Sequence, residues 1–174
     1  MKKSILAVGL AAALVSGAFA GENHSFDLYG ALGTNQNFVA GGDIEINSKR
    51  YVSGSFKSID DKQIYQVSIN TLIHNDYKSL QIGNIGAGLL INDSDNDVKF
   101  KPMLTGSYAF DGYAVDGYFA DSYNYGGSIV KGLWSKGIGE RKALNFVCGL
   151  SYDKIQGDSE NSIFLRINYL FGGN

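Results

Sequence analysis

Residues 98–119 read VKFKPMLTGSYAFDGYAVDGYF. Val98, Phe100, Pro102, Leu104, Gly106, Tyr108 and Phe110 alternate with Lys99, Lys101, Met103, Thr105, Ser107 and Ala109. Period-two alternation sends one set to each face of a β-strand. Asp111-Gly112 follows at once, the residue pair that a two-residue type I′ hairpin turn selects. Tyr113, Val115, Gly117 and Phe119 then resume the apolar face, against Ala114, Asp116 and Tyr118. This is a hairpin with one apolar face and one face that carries charge in mid-strand.

The same pattern extends in both directions. Upstream, Phe26, Leu28, Gly30 and Leu32 oppose Asp27, Tyr29 and Ala31. Phe38, Ala40, Gly42, Ile44 and Ile46 oppose Val39, Gly41, Asp43, Glu45 and Asn47. In residues 51–59, Val52, Gly54 and Phe56 oppose Ser53, Ser55 and Lys57. In 63–74, the set from Tyr65 to Ile73 opposes the set from Gln66 to His74. A strand over 79–91 shifts phase around Gly83-Asn84, which predicts a bulge there. Downstream, 126–135 is Gly-rich and poorly patterned. Residues 143–153 set Leu144, Phe146, Cys148, Leu150 and Tyr152 against Asn145, Gly149, Ser151 and Asp153. Residues 162–171 set Ile163, Leu165, Ile167, Tyr169 and Phe171 against Arg166 and Asn168.

The reading is all-β: ten antiparallel strands in an up-and-down transmembrane β-barrel, with eight as the alternative if weak neighbours merge. Ten residues rise ~33 Å, and a ~45° tilt brings that to ~23 Å, close to the apolar band of a membrane barrel.

Ahead of the strands, Lys2-Lys3, the apolar run Ile5 to Val15 and Ala18-Phe19-Ala20 have the three parts of a cleaved secretory signal. Residues 1–20 are therefore read as the signal peptide and 21–174 as one barrel domain. No later apolar run is long enough for a spanning helix. The 174-residue chain has net charge -2 and no long basic run, which speaks against nucleic acid as a partner. A single Cys rules out an internal disulfide framework.

Alternation alone does not say which face points inward. Charge at mid-strand (Asp43, Glu45, Asp116, Arg166) opposite uncharged faces favours a polar lumen with lipid outside. Aromatics near strand ends, such as Phe110, Tyr113, Tyr169 and Phe171, fit an interfacial girdle. With these features the chain resembles small bacterial outer-membrane β-barrel proteins, of the YfaZ-like or OmpA-barrel-like porin kind. The resemblance implies outer-membrane localisation, contact with outer-membrane lipid and lipopolysaccharide, and a monomer. It also implies that the final strand (Ile163, Leu165, Ile167, Tyr169, Phe171) is recognised by the barrel-assembly machinery.

The inferred lumen face carries Asp27, Asp43, Glu45, Asp116 and Asp153 against Lys57, Lys99, Lys101, Lys131 and Arg166. Buried charges persist when paired or hydrated, so a balanced charge network lining a narrow pore is expected. With the N-terminus on the periplasmic side, the outer loops are acidic, at 60–62, 93–97, Asp121 and 154–160. The inner turns are short or basic, at 48–50, 75–78, 111–112 and 136–142.

Other motifs carry little. Asp93, Asp95 and Asp97 resemble half of a Ca²⁺ loop, but Val98 and Leu104 stand where Gly and Glu are needed. An acidic hairpin loop is the simpler reading, and neither metal nor cofactor is expected. Neither of the two His residues forms a Ser-x-His or His-x-Ser pair, so no enzyme is expected. His74 reads as a solvated turn residue and Trp134 as an interface anchor. The expected role is an integral outer-membrane barrel, structural or narrow-pore. The alternatives are a soluble periplasmic barrel holding an apolar ligand and an outer-membrane lipid-modifying enzyme.

Overall fold

The computed structural model describes residues 26–34, 38–59, 62–76, 81–94, 97–139 and 142–171. The signal segment 1–20 lies outside them. Ten strands follow in chain order: β1 (Phe26–Gly33), β2 (Phe38–Asn47), β3 (Arg50–Ile59), β4 (Lys62–Asp76) and β5 (Gln81–Ser94), then β6 (Asp97–Phe110), β7 (Tyr113–Asp121), β8 (Asn124–Gly139), β9 (Lys142–Ile155) and β10 (Asp158–Phe171). Each pairs antiparallel with its sequence neighbours, and β1 closes on β10 in register from Phe26 opposite Phe171 to Gly33 opposite Phe164. The result is a closed up-and-down barrel with no free strand edge.

Both chain termini of the barrel lie at one end, called here the termini end, with the turns at 48–49 and 111–112. The turns at 122–123 and 156–157 mark the far end. Asp111 (φ 46°) and Gly112 (φ 78°) both take positive φ, as the type I′ reading requires. A second turn of the same hand joins β9 to β10 at Gln156 (φ 54°) and Gly157 (φ 95°). The sequence predicts a loop over 154–160. The strands instead run to Ile155 and resume at Asp158, and the turn is pinned by Gly157 N–H to the Tyr123 carbonyl at 3.2 Å. The poorly patterned eighth strand is the longest, at 16 residues. It extends through part of the expected turn over 136–142.

The irregularity expected in β5 belongs to its partner. β5 alternates without interruption, while β4 skips a residue between Leu72 and His74 opposite Asn84 and Gly83. The extra residue turns His74 outward, where it stacks on Tyr108 at 6.2 Å. His74 is thus an exterior ring neighbour, not a solvated turn residue.

Register assigns the two surfaces, because directly paired residues share a face. The exterior middle is aliphatic. Val67, Leu89, Leu104, Ile129, Leu150 and Leu165 point outward and are 45–64 % exposed. Aromatic rings flank this band. At the termini end Tyr108, Phe110 and Tyr113 form a chain with successive centroids 6.0 Å apart, and Trp134 lies 5.4 Å from Phe146. At the far end Phe56 sits between Phe38 (6.4 Å) and Tyr65 (5.1 Å), and Tyr125 packs on Tyr152 at 6.0 Å.

Candidate functional site

The lumen is filled differently at its two ends. In the far half Ile64, Leu90, Met103 and Ile155 point inward and are 1–4 % exposed, with Tyr118 and Ala120 packed against them. This small core sits inside the barrel. Burying apolar surface there contributes ~25 cal/mol per Å². Beside it Asn92 Nδ2 donates to Asn124 Oδ1 at 2.8 Å, with both residues buried. Asn124 Oδ1 also accepts the Gln156 N–H at 3.2 Å, which ties the plug to the β9–β10 turn.

Ion pairs brace the same half. Lys57 Nζ donates to both Asp153 oxygens, at 2.7 and 2.6 Å. β3 and β9 are separated by β2, β1 and β10, so this pair spans the lumen. Tyr118 Oη donates to Asp153 Oδ1 at 3.1 Å. The Tyr118 ring and the Asp153 carboxylate both lie over Gly126, where a Cβ would come within 2.8 and 2.5 Å of them. Lys62 pairs with Asp158 across the far rim, and Lys101 pairs with Asp121. Asp121 also accepts from the Tyr123 N–H and Asn124 Nδ2, each at 2.8 Å. The hydrogen bond from Lys101, then that from Asn124, holds the Asp121 carboxyl down at about 2. Lys62 likewise lowers Asp158.

The lumen holds two cavities, one of about 120 Å³ that reaches the Lys57–Asp153 pair in the far half and one of about 430 Å³ toward the termini end. They share Tyr29, Ser55, Gln66, Asp116, Tyr118 and Arg166 as a common wall. The larger cavity also meets Asp43, Tyr51, Asn70, Asn84 and Asn168, and it reaches Gly112 at the termini-end turn. The Arg166 guanidinium lies 3.9 Å from the centre of the Tyr29 ring, and its Nε donates to Asn168 Oδ1 at 2.6 Å. Tyr29 lies flat because Gly41 stands beneath it, where a Cβ would fall 2.5 Å from the phenol oxygen. Asn70 donates to Ser53 and Ser68 at 2.8 and 3.0 Å and accepts from Thr105 at 2.7 Å. Asp116 accepts from Ser128 at 2.6 Å.

The register puts nine of the ten residues of the expected charge network on the inner face: Asp27, Asp43, Glu45, Lys57, Lys99, Lys101, Asp116, Asp153 and Arg166. Lys131 is a correction. It stands opposite Cys148 and Tyr113 on the exterior, with Nζ 5.3 Å from the Tyr113 ring centre. Gly126, Gly127 and Gly132 give β8 no side-chain pattern from which to read its phase. The charges are also segregated by height. Asp27, Asp43, Glu45 and Asp116 share the termini half with Arg166, while Lys57, Lys99 and Lys101 lie in the far half with Asp153. Asp27 stands directly opposite Asp43, with its Oδ1 buried and without a hydrogen-bond partner.

Tyr29, Tyr118, Lys62, Asp121 and Asp158 take part in these contacts and were not among the expected lumen residues. For the tyrosines the signal was present, since both alternate in phase with an inward Asp. Asp93 is exposed on β5, and Asp95 and the Asp97 side chain lie outside the described residues. Among the described residues no group of three or more His, Cys, Asp or Glu could hold a metal ion. In β10, Ile163, Leu165 and Ile167 are 62, 64 and 46 % exposed on the exterior. Tyr169 shares that face, and the Phe171 side chain lies outside the described residues.

No protein-family model and no curated protein matches the sequence. Among solved structures the chain is similar to a barrel from the de novo design of transmembrane β-barrels, at 10 % identity and a TM-score of 0.41 over 87 % of this chain and 98 % of that one. It is similar to the N-terminal β-barrel domain of Pseudomonas aeruginosa OprF, at 11 % identity and a TM-score of 0.36 over 86 % and 98 % of the two chains. It is also similar to the KdgM porin, solved in complex with disordered oligogalacturonate, at 11 % identity and a TM-score of 0.41 over 86 % and 99 %.

Proposed function

We propose that this protein is an integral outer-membrane β-barrel with a structural or narrow-pore, porin-like role. One observation carries the reading: the barrel is inside-out. Its exterior middle is aliphatic and bounded by aromatic rings at both ends, while most of its paired charges and its hydrogen-bonded Asn and Ser side chains point into the lumen. A soluble barrel holding an apolar ligand buries its apolar face and exposes its charges. Lipid demands the reverse. The contents of the lumen bear on its width. The far-half plug and the wall shared by the two cavities leave room for small solutes at most.

The finer reading follows from the sequence resemblance. It comprises kinship with YfaZ-like porins, delivery by the barrel-assembly machinery through β10, contact with lipopolysaccharide, and a monomeric state. The test is an SDS gel of boiled and unboiled outer-membrane fractions, followed by planar-bilayer recording. A compact band that shifts on boiling, with small or no unit conductance, is expected. Recovery in a detergent-free soluble fraction without a shift overturns the membrane reading. A large, open-pore conductance overturns the narrow lumen.

A further inference from the structure

Arg166 is held between a tyrosine ring and an asparagine side chain. Among the described residues its contacts are the Tyr29 face at 3.9 Å and the Nε bond to Asn168 at 2.6 Å, neither of which is a hydrogen bond from an Nη group. The residue lines both cavities from their common wall. A guanidinium held flat through its ring face and its Nε keeps the planar fork that makes two parallel hydrogen bonds to a carboxylate. The same cavity of about 430 Å³ is lined by the carboxylates Asp43 and Asp116, the latter steadied by the Ser128 hydroxyl. Asp43, Asp116 and Arg166 all line this one cavity, which brings the three side chains to the same small space. Neither carboxylate forms a salt bridge with Arg166 among the described residues, although all three side chains line the cavity.

We propose that the larger lumen cavity is a binding site for a small zwitterion, an aliphatic amino acid in the broad sense. Arg166 takes its carboxylate, and Asp43 with Asp116 takes its ammonium. The tyrosines Tyr29 and Tyr51 wall the methylene chain. Because one cationic and two anionic groups face the same space, a ligand with one charge satisfies one side and leaves the other without a partner. Leaving a charged group without its partner costs more than the pairing gains, so discrimination against singly charged analogues follows. The site lies in the lumen and reaches the termini end, so it does not depend on whether the pore conducts.

The experiment is calorimetric titration of the detergent-folded mature barrel, with folding checked by the boiling shift. The probe is 4-aminobutyrate, with butyrate and butylammonium as single-charge controls. Saturable binding of 4-aminobutyrate, about tenfold or more tighter than either control, is expected. Arg166→Lys keeps the charge but loses the planar fork, and should weaken 4-aminobutyrate about tenfold or more in a barrel that still shifts on boiling. The double variant Asp43→Asn/Asp116→Asn should bring 4-aminobutyrate down to the affinity of butyrate. No saturable binding, equal binding of butyrate, or unchanged binding in folded Arg166→Lys each overturns the proposal. A failed boiling shift in the wild-type chain would count against the membrane reading and is read separately.

Discussion

Lys57 and Asp153 are 96 residues apart in the chain and meet across the lumen at 2.6 Å. The Asp153 side chain is 5 % exposed and also accepts from Tyr118. A pair this enclosed is costly to break from one side, because the remaining charge keeps its desolvation penalty. Lys57→Met should therefore destabilise the folded barrel by ~3–5 kcal/mol. The double variant Lys57→Met/Asp153→Leu should recover most of that loss. Urea-unfolding midpoints in detergent check both. A single variant as stable as the wild type would show that the strut contributes nothing.

The rim pair Lys101–Asp121 sets a pH window. A carboxyl whose folded value is depressed stabilises the fold above its unfolded value, and that contribution is lost as pH falls through the folded value. For Asp121 the window runs from the ordinary 3.8 down to about 2. The carboxyl is partly exposed, so solvent screening keeps the effect on global stability small. Carboxyl NMR of the micelle-folded barrel should place the Asp121 midpoint near the lower end. Lys101→Met should return it toward the ordinary carboxylate range. An ordinary midpoint in the wild type would mean that Lys101 does not hold it.

Exterior positions should resist charge according to depth. Leu165 and Ile167 are 64 and 46 % exposed on the aliphatic band. Arginine at either should cost ~2–4 kcal/mol of membrane-folded stability near the midplane. Asn161→Arg, on the same face but beside the far turn, should cost ~0–1 kcal/mol. Refolding into lipid vesicles measures the difference. Equal costs at all three sites would show that the face is not graded by lipid depth.

These results show what a single sequence makes legible here. Faces were legible wherever side chains alternate, as in β6, β7 and β10, because a period of two maps directly onto inside and outside. The Asp111-Gly112 turn was legible because few residue pairs tolerate two positive φ values. The Gln156-Gly157 turn was not, since Gln gives no such signal and its conformation rests on contacts with the neighbouring Tyr123 and Asn124. Lys131 was misassigned where glycines erase the phase of β8. The far-half plug was hidden for another reason. Ile64, Leu90, Met103 and Ile155 are apolar residues on polar faces, and only closure of the barrel brings them together. The ion partners of Lys62 and Lys101 were read as loop residues because strand ends are invisible to periodicity.

Two glycines that look alike in the sequence should behave differently. At Gly41 an added Cβ would lie 2.5 Å from the Tyr29 phenol oxygen and 2.6 Å from the Gly54 carbonyl oxygen. The carbonyl is backbone and cannot move aside without bending β3. Tyr29 would have to lift, and the Arg166 stack would go with it. At Gly54, on the exterior of the same sheet, an added Cβ meets nothing within 4 Å. Gly54→Ala should be neutral or stabilising by up to ~1 kcal/mol, through the lower entropy of the unfolded chain. Gly41→Ala should cost ~1–3 kcal/mol, the range for overpacking. Paired unfolding curves decide it. Equal stabilities would mean that the Tyr29 ring is not seated on Gly41, which would also remove the support beneath the Arg166 guanidinium.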